Sequence, residues 1–265
     1  MTTQRPVGAI TRGTTGPNRL RRCDRWLAGP QGWRLRRTTA APVVVDLGYG
    51  AAPTTAVELH ARLSAVRPDV EVVGIEIDPA RVAAARPLER PGLTFRSGGF
   101  EVPLDGRDAT MIRAFNVLRQ YDEGEVDGAW SRLRGRLAPH GLLVDGTCDE
   151  IGRLASWVAI DRSGPQSLTL SLRLAALDDP AAVAERLPKA LIHRNVPGEP
   201  VHDFLQALRR AWVHASPHAS YGARQRFLAT VETLRAEGWP LLDSASRWRL
   251  GEVTVAWSAV APLSF

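Results

Sequence analysis

Residues 43–53, Val-Val-Val-Asp-Leu-Gly-Tyr-Gly-Ala-Ala-Pro, constrain the fold more than any other stretch of this chain. Three β-branched residues, Val43 to Val45, followed by Asp46 and Leu47, read as a short strand buried on both faces, as in a parallel sheet. Gly48 and Gly50 then make a turn at which the backbone can approach a ligand closely. Helical spacing follows: Ala56, Leu59, Leu63 and Val66 share a face, and Thr55 with Glu58 has the spacing of a capping box. Val70 to Ile77 forms a second apolar strand, and Asp78-Pro79 reads as the N-cap and first residue of the next helix. Strand, helix, strand, helix within about 45 residues predicts an α/β fold around a parallel sheet.

The alternation continues with strands at 93–96, 109–114 and 141–148, and with an amphipathic helix carrying Val126, Trp130, Leu133 and Leu137. Beyond residue 148 the rhythm breaks. Residues 157–161 and 167–174 suggest an antiparallel hairpin, helices follow near 179–192, 201–215 and 222–237, and 238–241 with 252–257 suggest a closing hairpin. Four parts are expected: a basic N-terminal arm and helix (1–41), an α/β core that binds a cofactor (42–148), an insertion or helical cap (149–237), and a C-terminal hairpin completing the core sheet (238–265).

Charge is concentrated in the arm. Nine arginines against one acid, Asp24, give residues 1–41 a charge of +8, so the rest of the chain carries −2 of the net +6. Leu20, Cys23 and Leu27 mark the apolar face of a short helix within it. The 44% apolar and 23% charged composition is that of an ordinary globular protein. No apolar run approaches the roughly 18 residues of a membrane span, and no leader pattern opens the chain, so a cytoplasmic location without membrane contact is expected. Two distant cysteines, Cys23 and Cys148, argue against a disulfide scaffold or cysteine-based zinc site. Pro217 disrupts the helix that would align His214 with His218, so no metal is expected there.

The placement of Glu76, 30 residues after Asp46 and at the end of the second strand, points to nucleoside binding. Ligands of open parallel sheets bind beyond the carboxyl ends of the strands, where a carboxylate can accept hydrogen bonds from ribose hydroxyls. Pro53 stands where a dinucleotide fingerprint has its last glycine, and no phosphate-cradling G-x-x-x-x-G-K-[ST] loop follows a strand. A ligand with ribose and adenine but no phosphates fits best.

Val44-Val-Asp-Leu-Gly-Tyr-Gly-Ala-Ala-Pro and Val73-Gly-Ile-Glu-Ile-Asp-Pro resemble the first two motifs of the class I S-adenosylmethionine-dependent methyltransferases. The resemblance covers 42–148, and residues 238–257 resemble that fold's final hairpin; the whole chain resembles actinobacterial proteins of this superfamily. It implies a Rossmann-like methyltransferase fold with a mostly parallel seven-stranded sheet, a closing antiparallel hairpin, and an inserted hairpin and helices. It also implies S-adenosyl-L-methionine as cofactor, with Asp46, Gly48, Tyr49 and Gly50 toward the methionine moiety and Glu76 and Ile77 toward the ribose and beyond. The family's adenine contact often follows an f-x-x-G-D pattern; here Gly99 stands where the acid is common, which leaves Phe100 to stack on or flank the adenine or Glu101 to substitute as the polar contact. Asn116, after the fourth strand, resembles the Asn or Asp of the fourth motif.

The resemblance implies methyl transfer but names no acceptor. Positioning and exclusion of water carry much of such a reaction, so a general base is optional; Asp149, Glu150 and His193 are candidates if one is used. A small-molecule acceptor is the leading expectation. An RNA methyltransferase is the alternative, resting on the basic arm and on Trp26 or Trp33 as a base-stacking residue, and a non-catalytic scaffold retaining the fold is a third.

Overall fold

A computed structural model of the chain describes residues 6–10 and 16–264. After two short helices, α1 (Arg21–Ala28) and α2 (Trp33–Arg36), strands and helices alternate: β1 (Val43–Leu47), α3 (Thr54–Ser64), β2 (Glu71–Glu76), α4 (Pro79–Ala85), β3 (Leu93–Ser97), β4 (Ala109–Phe115), α5 (Val126–Arg134) and β5 (Leu137–Cys148). The second half contains β6 (Leu154–Asp161), β7 (Gly164–Leu172), α6 (Lys189–Ile192), α7 (Pro200–His214), α8 (Ala223–Ala236), α9 (Ala245–Trp248) and β8 (Glu252–Ala256). The described strands form one sheet in the order β3-β2-β1-β4-β5-β6-β7-β8. Contacts divide the chain into two units: residues up to 145 with 150–152 and 160–164, and residues 146–149, 153–159 and 165 onward.

In the first unit β1 pairs in parallel with β2 and β4, and β2 with β3, which is the parallel sheet the alternation predicts and the Rossmann-like arrangement the resemblance implies. All five residues of β1 and all seven of β4 are buried, as befits strands covered on both faces. Asp78 caps α4 as expected, its side chain accepting from the Ala80 N–H. The expected capping box of the preceding helix does not form. Pro53 is the N-cap of α3, the Thr55 hydroxyl donates to Asp46 instead (2.7 Å), and Glu58 accepts from the Asn18 N–H (2.8 Å). Leu20, Cys23 and Leu27 are buried as the arm's helical spacing requires, and each buried leucine contributes about 1.5–3 kcal/mol.

In the second unit the sheet departs from the expected seven strands. The expected inserted hairpin forms as β6 and β7, with only Arg162 and Ser163 between them, and both strands belong to the sheet, giving eight. The expected closing hairpin reduces to one strand: β8 pairs antiparallel with β7, while 238–241 contributes a single bridge, Leu241 to Val255. Pro240 has no N–H to donate to a ladder, which restricts that segment's pairing. No helix among the described residues is long and apolar enough to cross a membrane.

Candidate functional site

Parallel pairing sets Asp46 opposite Gly74 and Leu47 opposite Ile75, so the turn after β1 and the last residue of β2 leave the sheet together. The Gly48 N–H donates to the Ile75 carbonyl (2.7 Å), and the Gly50 N–H donates to Glu76 Oε2 (3.0 Å). Both glycines lie in the left-handed region, at φ +66° and +82°, where a side chain would add strain. The Glu76 carboxylate is 1% exposed; its Oε1 accepts from the Ile77 N–H (2.9 Å), and Arg81 of α4 lies 3.6 Å from Oε2. The Asp78 N–H donates to the same Oε1 (3.4 Å), so the carboxylate is fixed in place by backbone groups from both strand ends.

A cleft opens beside this carboxylate. Leu47, Gly48, Glu76 and Ile77 line one part of it, and Gly98, Gly99, Phe100, Val117 and Tyr121 another. Phe100 and Tyr121 pack with ring centroids 5.3 Å apart. Val7 and Ala9 of the arm complete the lining, and the room left for solvent is about 10 Å³, enough for about one water. Val117 follows Asn116 in the stretch that resembles the fourth motif; Tyr121 and the arm residues carry no motif signal, and chain folding alone brings them to the cleft.

Five of the residues singled out from sequence meet here: Gly48, Glu76, Ile77, Gly99 and Phe100. Gly50 sits behind them, bonded to Glu76. Asp46 is turned into the protein, where it takes the Thr55 hydroxyl and a two-pronged contact from Arg113: Nε at 3.0 Å and Nη2 at 2.9 Å. Arg113 also donates to Asp24 of α1, which Arg62 approaches at 2.6 Å. Burial opposes the charge on Arg113, but Asp46 and Asp24 outweigh it and hold its pKa above the ordinary guanidinium value. Burial pushes Asp24 up to about 6 despite both arginines. Tyr49 is buried with its ring edge-on to Phe95 (5.4 Å), and burial with the nearby Glu76 and Asp46 charges raises its phenol pKa. Asn116 takes a left-handed turn after β4, at φ +59°, a conformation asparagine tolerates better than most residues.

The base candidates are dispersed. Asp149 accepts from the Arg153 and Leu154 N–H groups as the cap of its own turn, and Glu150 and His193 are exposed. Trp26 is buried at 3% exposure; Trp33 is 40% exposed but packs near His140 at the amino end of β5, where the Arg34 guanidinium donates to the His140 carbonyl (2.6 Å).

No family model matches the chain. Trans-aconitate 2-methyltransferase of Methylobacterium radiotolerans is 33% identical over 156 residues, 57% of this chain and 53% of that protein, so the chain spans about half the length of the curated relative it matches. Among solved structures, the CcbJ methyltransferase from Streptomyces caelestis is 16% identical with a TM-score of 0.34, covering 61% of this chain and 68% of CcbJ. The plantazolicin methyltransferase BamL is 15% identical with a TM-score of 0.38, covering 50% and 46%. Structural likeness this partial does not define an activity.

Proposed function

We propose that the chain is a class I S-adenosylmethionine-dependent methyltransferase acting on a small-molecule acceptor. The observation that carries the reading is the Glu76 carboxylate, buried where β2 ends, bonded to the glycine turn after β1, and facing a cleft beyond the parallel strands. Glu76 would hold the ribose, the Gly48–Gly50 turn would lie against the methionine moiety, and Ile77, Phe100 and Val117 would flank the adenine. Asp46 would act indirectly, fixing the turn through Thr55 and Arg113. Bound there, the donor would supply a methyl group activated by its sulfonium. The named acceptor of the curated relative is trans-aconitate, which supports a small molecule over RNA. The exposed tryptophan that would stack a base sits at the amino end of β5, whereas the cleft lies beyond the carboxyl ends of β1 and β2.

The chemistry of the lining fits the donor; the space does not, because Val7 and Ala9 stand in it. That occupancy favours a second reading, a non-catalytic module that keeps the fold. Calorimetric titration with S-adenosylhomocysteine separates the two. Saturable binding lost in Glu76→Gln supports the methyltransferase. Absence of binding at millimolar ligand, in the full chain and in a variant lacking residues 1–10, supports the module.

A further inference from the structure

The cleft has an occupant, and it is the chain's own arm. The Phe100 N–H donates to the Val7 carbonyl (2.8 Å), and the Val7 N–H donates to Glu101 Oε2 (2.8 Å). Two residues further on, the Ala9 N–H donates to the Tyr121 hydroxyl (2.5 Å), and Gln120 Nε2 donates to the Ala9 carbonyl (3.1 Å). Four hydrogen bonds to two arm residues, Val7 and Ala9, are a specific seat.

Both sides of the contact lack a side chain where they meet. A Cβ on Gly99 would run into the Val7 carbonyl, and one on Gly8 would lie 2.8 Å from the Tyr121 hydroxyl and 3.0 Å from Ile77. Glu101 serves both partners, since its Oε1 accepts from the Gly99 N–H (2.8 Å) while Oε2 holds the arm. The departure from the f-x-x-G-D pattern thereby gains a physical account. An acid at 99 would exclude the arm, and the acid two residues on grips it. Beside Glu76 about 10 Å³ of room is left, whereas small-molecule sites take roughly 300 Å³ or more; Val7, Gly8, Phe100 and Tyr121 also line a cavity of about 280 Å³ with Glu125 and Arg132.

We propose that residues 7–9 are an intramolecular plug of the adenine end of this cleft, held by Glu101, Tyr121 and the side-chain-free Gly99, and displaced when the nucleoside enters. The identity of the ligand rests on the methyltransferase reading; the seat of residues 7–9 rests on contacts within the chain alone. Arm and ligand then exclude each other, and apparent affinity falls by the fraction of molecules with the cleft open.

The ligand-free test is amide hydrogen exchange. The Val7 and Ala9 N–H groups are expected to be protected, and Gly99→Ala is expected to speed their exchange at least tenfold. Tyr121→Phe, which removes one acceptor and leaves the sheet alone, is expected to speed Ala9; unchanged protection in both variants overturns the plug. The ligand test is titration with S-adenosylhomocysteine: the variant lacking residues 1–10 is expected to bind at least tenfold more tightly than the full chain, with exchange at Val7 and Ala9 of the full chain rising on saturation. Equal or weaker affinity on truncation, or greater protection on saturation, overturns it and makes the arm a lid on bound ligand. If neither chain binds S-adenosylhomocysteine while the exchange results hold, the plug stands and the donor assignment fails.

Discussion

Arg113 and Asp46 face each other across the parallel ladder of β4 and β1, and the guanidinium grips the carboxylate by two nitrogens, at 3.0 and 2.9 Å. Both side chains are essentially inaccessible to solvent, and Asp24 and Arg62 extend the pair into a group of two acids and two bases. Such a group is tolerable only while each buried charge keeps its partner.

Arg113→Met should therefore destabilise the protein by about 3–5 kcal/mol, because it leaves Asp24 and Asp46 buried without their shared cation. Arg113→Lys should recover only part of this, since an ammonium cannot reproduce the forked contact. Urea unfolding measures both. A loss below about 1 kcal/mol for the methionine variant would mean that water or a rearranged Arg62 replaces the missing charge.

Glu76 calls for a conservative probe. Alanine would strip the acceptor from the Gly50 and Ile77 N–H groups and cost about 1–3 kcal/mol of stability, mixing a folding defect with a binding one. Glu76→Gln keeps an acceptor and removes the charge. Its one carbonyl can serve either the Gly50 or the Ile77 N–H but not both, so a thermal transition between those of the parent and the alanine variant is expected, with S-adenosylhomocysteine weakened at least tenfold, about 1.4 kcal/mol. Unchanged affinity in titration calorimetry would place the ribose elsewhere.

The parallel half of the fold was legible because its signals are local. Val43–Leu47 and the run ending at Glu76 are continuous apolar strands, and Asp78-Pro79 starts a helix by its own chemistry. What sequence could not show depends on distant partners. Thr55 and Glu58 have capping-box spacing, yet Asp46 and Asn18 compete for them and win. Leu137 continues a helical spacing but lies on β5, where strand pairing overrides it. Val7 meets Glu101 across 94 residues and Arg113 meets Asp24 across 89, separations at which no pattern in one sequence assigns a partner. The cleft's carboxylate and glycines were readable; its occupant was not.

Gly152 is held at φ +68°, and a Cβ there would strike the carbonyl of Arg19, so the arm crosses this turn in direct backbone contact. Gly222, at φ +97°, has open space around it. Alanine at either position carries conformational strain, typically about 1 kcal/mol or more, but only at 152 does it also displace the chain. Gly152→Ala should lower the urea midpoint more than Gly222→Ala and speed amide exchange near residues 18–20. Equal midpoints would show that Arg19 yields without cost.

Asp145 lies fully buried on β5, its Oδ2 accepting from the Trp130 indole N–H at 3.0 Å. Burial raises its pKa to about 7 from an ordinary 3.8, and the indole's hydrogen bond pulls only weakly the other way. Between those two values the folded protein keeps a proton that the unfolded chain has released, so this group's contribution to stability declines as pH rises from about 4 to 7 and is flat beyond. The full change is on the order of 4 kcal/mol. Asp145→Asn preserves shape and an acceptor for Trp130 while abolishing the titration. Its melting temperature should match that of the parent near pH 4, exceed it increasingly up to about pH 7, and keep that margin beyond. A difference independent of pH would show that Asp145 is ionised throughout, with its charge compensated inside the sheet.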